Sequence, residues 1–97
     1  MKSEILQQIE KRERVLTDIT KILINALQLD YPVESIDPDS PLFGTGLSFD
    51  SVDAIEIIVA LEVEYGVTIS ESEGLLALRS VNTLVDAVME KQNKNDQ

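Results

Sequence analysis

The chain has 97 residues and a formal net charge of −10, and it contains neither cysteine nor histidine. A chain this short closes around one modest core, so a single domain spanning 1–97 is predicted, and no large internal cavity is expected. The missing residue types exclude a disulfide framework, a thiolate or imidazole metal site, and the usual histidine proton shuttle, so reactive chemistry has to arrive with something attached.

The charge is unevenly distributed. All eight basic residues (Lys2, Lys11, Arg12, Arg14, Lys21, Arg79, Lys91 and Lys94) lie outside the stretch from Ile22 to Leu78, which holds eleven of the eighteen acids. The middle therefore carries −11 and the ends together +1. Such a field repels nucleic acid and anionic lipid and steers basic protein surfaces inward. Ordinary solubilising acidity accounts for the same charge equally well. No stretch approaches the roughly 20 apolar residues that span a bilayer, and the reading is of a soluble, cytoplasmic protein without membrane insertion.

From Ser3 to about Leu29, Ile9, Leu16, Ile19, Leu23, Ala26 and Leu27 recur at steps near three, four or seven, which predicts a long first helix. It is expected to stop before Asp30-Tyr31-Pro32, because a residue preceding proline is driven out of helical geometry. Tyr31 to Phe49 holds all three prolines and two of the four glycines and reads as a long ordered loop. Val33, Ile36, Leu42, Phe43 and Leu47 should pin it to the bundle, and a short turn can hide inside it. Loops of this length in small domains are more often functional than idle.

Asp50 to Tyr65 is the second helix, with Asp50 as N-cap and Gly66 as a left-handed stop. Val67-Thr68-Ile69 is an extended link, and Glu71 to Leu78 is a short third helix weakened by Gly74. Ser80 caps a fourth, with Val81, Leu84, Val85 and Val88 on one face. The tail from 91 to 97 is polar and expected to be disordered. The fold class is all-α, a small four-helix bundle of three main helices plus a short third one.

At 100° per residue the second helix has two apolar faces. Ala54, Ile57, Ile58, Leu61 and Tyr65 form one and belong in the core. Val52, Ile55, Val59 and Val63 form another on roughly the opposite side, near Glu56 and flanked by Asp53 and Glu62. An apolar stripe bordered by acids suits docking, the carboxylates orienting a basic partner. Cover by the long loop is the alternative.

Ser51 stands at the first turn of this helix, where unpaired backbone N–H groups and the helix dipole favour an anion such as a phosphodiester. Taken alone it reads as an ordinary helix start. Other motifs fail: Gly44-Thr45-Gly46 lacks a preceding strand and meets Phe49, Gly46-Leu47-Ser48-Phe49-Asp50 lacks the last glycine of a nucleophile elbow, and Asp37 and Asp39 begin a calcium loop that Leu42 and Ser48 do not complete.

The run Asp50-Ser51-Val52-Asp53-Ala54-Ile55-Glu56-Ile57 resembles the Asp-Ser-Leu-Asp-x-Val-Glu-Leu segment of acyl carrier proteins. Ala60-Leu61-Glu62-Val63-Glu64-Tyr65-Gly66-Val67-Thr68-Ile69 resembles the family's continuation, and with Pro41-Leu42-Phe43 and Ser80-Val81 the similarity covers about residues 10 to 90. The resemblance implies a carrier and not an enzyme, with Ser51 bearing 4′-phosphopantetheine transferred from coenzyme A and cargo held as a thioester. It implies that Asp50 assists the magnesium-dependent phosphopantetheinyl transferase. Val52, Ile55 and Val59, with Asp53, Glu56 and Glu62, would dock acyl-loading, synthase and acyltransferase enzymes that have basic patches, in fatty acid, lipid or polyketide-type biosynthesis. The chain is expected to act as a monomer. Val63 stands where an acid is common, Ser48 where a glycine is usual and Gly46 where an acid is frequent, which points to a specialised carrier. From other classes, an unmodified acidic helical adaptor remains the main alternative, and a metal-buffering protein the next.

Overall fold

The computed structural model describes residues 3–43 and 50–95. Among them all the regular secondary structure is helical: α1 Glu4–Leu27, a 3-10 turn Val33–Ser35, α2 Ser51–Tyr65, α3 Glu71–Ala77 and α4 Val81–Asn95. α1 packs on α2 and α4, and α3 packs on α4.

Each boundary has a local cause. Ser3 caps α1, its hydroxyl accepting the Leu6 N–H at 3.2 Å. α1 ends earlier than the proline rule requires, because Gln28 turns left-handed (φ 54°) and its N–H, with that of Leu29, satisfies carbonyls of the last turn. Gly66 (φ 63°) ends α2 as expected, glycine being free of the Cβ clash that opposes this geometry. Ser70 caps α3. At the start of α4, Ser80 Oγ accepts the Thr83 N–H while Thr83 Oγ1 accepts the Ser80 N–H, a reciprocal pair.

One apolar cluster joins these elements. Ile19 and Leu23 of α1, Ile57 and Leu61 of α2, and Val81, Leu84, Val85 and Val88 of α4 are almost wholly shielded, and Val67 and Ile69 of the link join them. The buried hydroxyl of Thr20 donates to the Leu16 carbonyl at 2.8 Å. Ile9 departs from the expected core face: it is exposed, as are Ile5 and Leu6, and the first buried residue of α1 is Val15. At 1.5 Å per residue α1 is roughly 36 Å long against about 22 Å for α2 and α4, so the periodic face outruns its neighbours.

The loop is pinned much as expected. Ile36 and Leu42 are buried and Phe43 is partly buried against the core, whereas Leu47, with Gly44-Thr45-Gly46 and Ser48, lies outside the described residues. Leu42 N–H donates to the Arg79 carbonyl at 3.1 Å, Asn82 N–H to the Pro38 carbonyl at 3.0 Å, and Asn82 Nδ2 to Asp39 Oδ1 at 2.6 Å. The loop is thereby stitched to the junction of α3 and α4. Arg12 of α1 reaches the same helix, with Nη1 2.6 Å from Asp86 Oδ1. At the other end, where a frayed tail from residue 91 was expected, α4 continues to Asn95 and Lys91 Nζ stands 2.7 Å from Glu73 Oε2. Residues 96–97 are outside the described set.

Candidate functional site

The site is built on the first turn of α2. Asp50 is its N-cap, and Asp50 Oδ1 accepts the Asp53 N–H while Asp53 Oδ2 accepts the Asp50 N–H, both at 3.0 Å. This reciprocal cap fixes where the chain enters the helix, and so fixes Ser51, the first helical residue, whose side chain is exposed. A hydroxyl held at a fixed helix start and open to solvent is accessible to a modifying enzyme.

Two clefts meet at Ser51. The larger, about 760 Å³, runs towards the start of α4 and has a partly polar wall that includes Asp39, Asp50, Arg79, Ser80 and Thr83. The smaller, about 360 Å³, lies between α2 and α3, with Ile55, Ile58, Val59, Ile69, Gly74 and Leu75 among its walls. Ala54, Leu75 and Leu78 border both. Both clefts are thus mainly apolar, and the larger one adds charged and hydroxyl groups at its wall. Arg79, Leu75 and the cleft wall at Ile69 and Gly74 were not singled out by sequence reasoning. Their apolar or basic character was visible, but their approach to Ser51 depends on how α3 is set against α2.

The outer face of α2 is uncovered. Val52, Ile55, Val59 and Val63 are between 51% and 79% exposed, so the loop does not fold over them among the described residues. On the inner face Ile57 and Leu61 are buried and Ala54, Ile58 and Tyr65 are partly buried.

The three acids expected beside the stripe differ in what they do. Glu56 is exposed. Asp53 is half-buried and engaged in the cap. Glu62 is half-buried, and its Oε2 accepts the Ile69 N–H at 2.9 Å, which ties the link after α2 back onto the helix. Two of the three thus have internal duties that the sequence reading did not assign to them.

Two titratable groups near this scaffold are displaced from their ordinary behaviour. The Lys91 ammonium and the hydrogen bonds from Ser70 hold Glu73 down at about 2. Burial raises the Tyr65 phenol, and the neighbouring charges of Asp18 and Glu64 push it the same way. The Tyr65 hydroxyl oxygen is buried without a hydrogen-bond partner. Among the described residues no three carboxylates stand close enough to hold a metal ion, and no helix is long and apolar enough to cross a membrane.

Comparison with known proteins agrees with this arrangement. Residues 18–88 match the family described as "Phosphopantetheine attachment site". The chain is 28% identical to an acyl carrier protein of Petrotoga mobilis over 86 residues, 89% of this chain and 96% of the relative. It is 31% identical to an acyl carrier protein of Thermosynechococcus vestitus over 80 residues, 82% of this chain and 94% of the relative. Proteins of this kind are carriers, not enzymes, and they bear covalently attached 4′-phosphopantetheine. The residues present fit such a group, since a serine stands exposed at the first turn of α2 between two largely apolar clefts, the larger of which also carries polar side chains. By its sequence match, its helical architecture and the site at the head of α2, this chain belongs to the acyl carrier protein family.

Proposed function

We propose that Ser51 is the attachment residue, and that the chain carries acyl intermediates as thioesters and delivers them to enzymes of fatty acid, lipid or polyketide-type biosynthesis. The observation that carries this reading is the exposed Ser51 hydroxyl at the meeting point of a partly polar and an aliphatic cleft. In the loading step Ser51 Oγ bonds to the β-phosphorus of coenzyme A, the bond to 3′,5′-ADP breaks, and the hydroxyl proton leaves to the transferase. The attached group supplies the thiol that the side chains of this protein lack.

The residues around Ser51 divide the remaining work. Asp50 caps α2 with its Oδ1, and its exposed carboxylate faces the magnesium-dependent transferase during loading. The polar wall at Arg79, Ser80 and Thr83 suits the amides and hydroxyl of a pantetheine arm, and the wall at Ile55, Ile58 and Ile69 suits an acyl chain.

Val52, Ile55 and Val59 supply apolar contact to partner enzymes, and Glu56 orients their basic patches. Asp53 and Glu62 add to this field from the edges of the stripe while serving α2 internally. Val63 lengthens the apolar row where relatives of this kind commonly have an acid, which supports a specialised carrier in a dedicated pathway. The protein acts as a cytoplasmic monomer.

An unmodified adaptor is the second reading, favoured by the fact that the exposed α2 stripe offers a binding surface whether or not Ser51 is loaded. Intact mass after incubation with a phosphopantetheinyl transferase, coenzyme A and magnesium separates the two. A carrier gains the mass of one arm and Ser51→Ala gains nothing. An unchanged mass for the unsubstituted protein leaves the adaptor.

A further inference from the structure

Arg79 occupies the short joint between α3, which ends at Ala77, and α4, which begins at Val81. The backbone there is held on both sides: the Arg79 carbonyl accepts the Leu42 N–H at 3.1 Å, and the Leu78 N–H donates to the Gly74 carbonyl at 2.9 Å. Leu78 and Ser80 are buried while Arg79 is exposed, so the joint turns this one side chain outward. It lines the larger cleft, which Ser51 lines as well.

The charges around Ser51 set this cation apart. Along the two clefts that meet there the charged side chains are Asp39, Asp50, Glu71 and Arg79, a single base among three acids. Elsewhere basic side chains have found carboxylates, Arg12 at Asp86 and Lys91 at Glu73. The Arg79 guanidinium makes no ion pair or hydrogen bond with a described residue. The two carboxylates that share its cleft are engaged elsewhere, Asp39 Oδ1 with Asn82 Nδ2 at 2.6 Å and Asp50 Oδ1 with the Asp53 N–H at 3.0 Å. A rigid fork of N–H donors is thereby left open to an anion of matching shape.

Attachment of the arm brings such an anion. The phosphodiester is the part of the arm whose place the covalent bond to Ser51 fixes, and it keeps one negative charge and two non-bridging oxygens at neutral pH. It adjoins Asp50 in a chain of net charge −10, so its surroundings oppose it unless a cation answers it. We propose that Arg79 is a positioning residue that pairs with this phosphodiester, so that the arm leaves Ser51 over the larger cleft and clear of the exposed row on α2. This rests on the carrier reading above. Two parallel N–H donors meet two phosphate oxygens, a geometry that a lysine ammonium does not reproduce.

The test compares the full chain before and after complete loading, checked by intact mass, as the unsubstituted protein, Arg79→Gln and Arg79→Lys. The arm stays attached when the chain unfolds, whereas the pairing exists only in the folded form. Loading should therefore be less favourable to the melting temperature of Arg79→Gln than to that of the unsubstituted protein, by about 1–5 °C, which is what an exposed ion pair contributes in a domain of this size. The gap narrows at about 1 M salt, where the screening length is roughly 3 Å, and Arg79→Lys recovers part of it. By nuclear magnetic resonance, the Arg79 Nε–H signal of the unsubstituted protein moves on loading, and the phosphorus signal of the arm differs between that protein and Arg79→Gln. A merely structural role for Arg79 moves neither. An Nε–H signal left unmoved by loading, or an equal thermal effect of loading with and without the guanidinium, overturns the proposal while leaving the carrier reading intact. The Nε–H signal needs no variant and decides the matter if Arg79→Gln fails to fold or to load. Failure of the unsubstituted protein to take up an arm removes the carrier reading and this inference together.

Discussion

Asp50 holds two roles that two substitutions separate. One oxygen accepts the Asp53 N–H at 3.0 Å and completes the cap of α2. The negative charge, by contrast, is what the transferase reaction is expected to use. Asp50→Ala removes both, and loss of an N-cap acceptor costs about 1 kcal/mol. In a domain of this size that lowers the melting temperature by about 4–8 °C. Asp50→Asn presents an amide oxygen in the same place, and asparagine is as good an N-cap as aspartate, so its thermal cost is a few tenths of a kcal/mol at about neutral pH.

Loading behaves differently. A contact between a charged group and its partner is worth roughly 1.5–3 kcal/mol, so both variants accept the arm at least about tenfold more slowly. Calorimetry gives the first comparison, and a time course of intact mass with transferase, coenzyme A and magnesium gives the second. An Asp50→Asn protein that melts as low as Asp50→Ala would refute the cap argument. One that loads at the unsubstituted rate would refute the role of the charge.

Other consequences are open to direct measurement. Ile57→Ala empties a fully buried position and should cost about 2–5 kcal/mol in denaturant titration, whereas Val59→Ala on the opposite face should stay within about 0.5 kcal/mol and instead weaken binding to a partner enzyme. Glu73, held at about 2 against an ordinary 4.5, contributes stability that is fully present above the ordinary value and is lost as pH falls from there towards 2. Glu73→Gln should therefore be less stable than the unsubstituted protein at neutral pH, with the difference closing through that acidic window. The raised phenol of Tyr65 has the opposite sense, its stability present below the ordinary 10.0 and lost as pH rises beyond it. Tyr65→Phe removes a buried hydroxyl without a partner, so it should match or exceed the unsubstituted stability at neutral pH and flatten the alkaline decline.

How much of this was legible in the sequence depended on whether the cause was local. The two faces of α2 followed from angular spacing alone, and burial of Ile57 against exposure of Ile55 and Val59 agrees with it. The caps at Asp50 and Ser80 and the stop at Gly66 were equally readable, because each acts within three or four residues. The misreading of Ile9 arose because periodicity identifies a face without saying how far its neighbours extend. Glu62 was read only as a recognition acid because its partner, the Ile69 N–H, arrives through the left-handed turn at Gly66 and the link that follows. Asp53 is a different case: its three-residue spacing from the cap at Asp50 was visible, but likeness to a docking pattern drew attention from its share in that cap. The clefts beside Ser51 were hidden in a further sense, since their walls come from α2, α3, α4 and the loop together.

The uncovered row on α2 also bears on how these molecules behave in concentrated solution. At neutral pH a charge of −10 keeps copies apart, so four exposed valine and isoleucine side chains are tolerated without clumping. Near the isoelectric point of about 4.2 that mutual repulsion disappears while the greasy strip remains. The acidity proposed to select partners thus also works as a colloidal guard, and turbidity on mild acidification should be suppressed by placing a single carboxylate at Val63, the barest position of the strip.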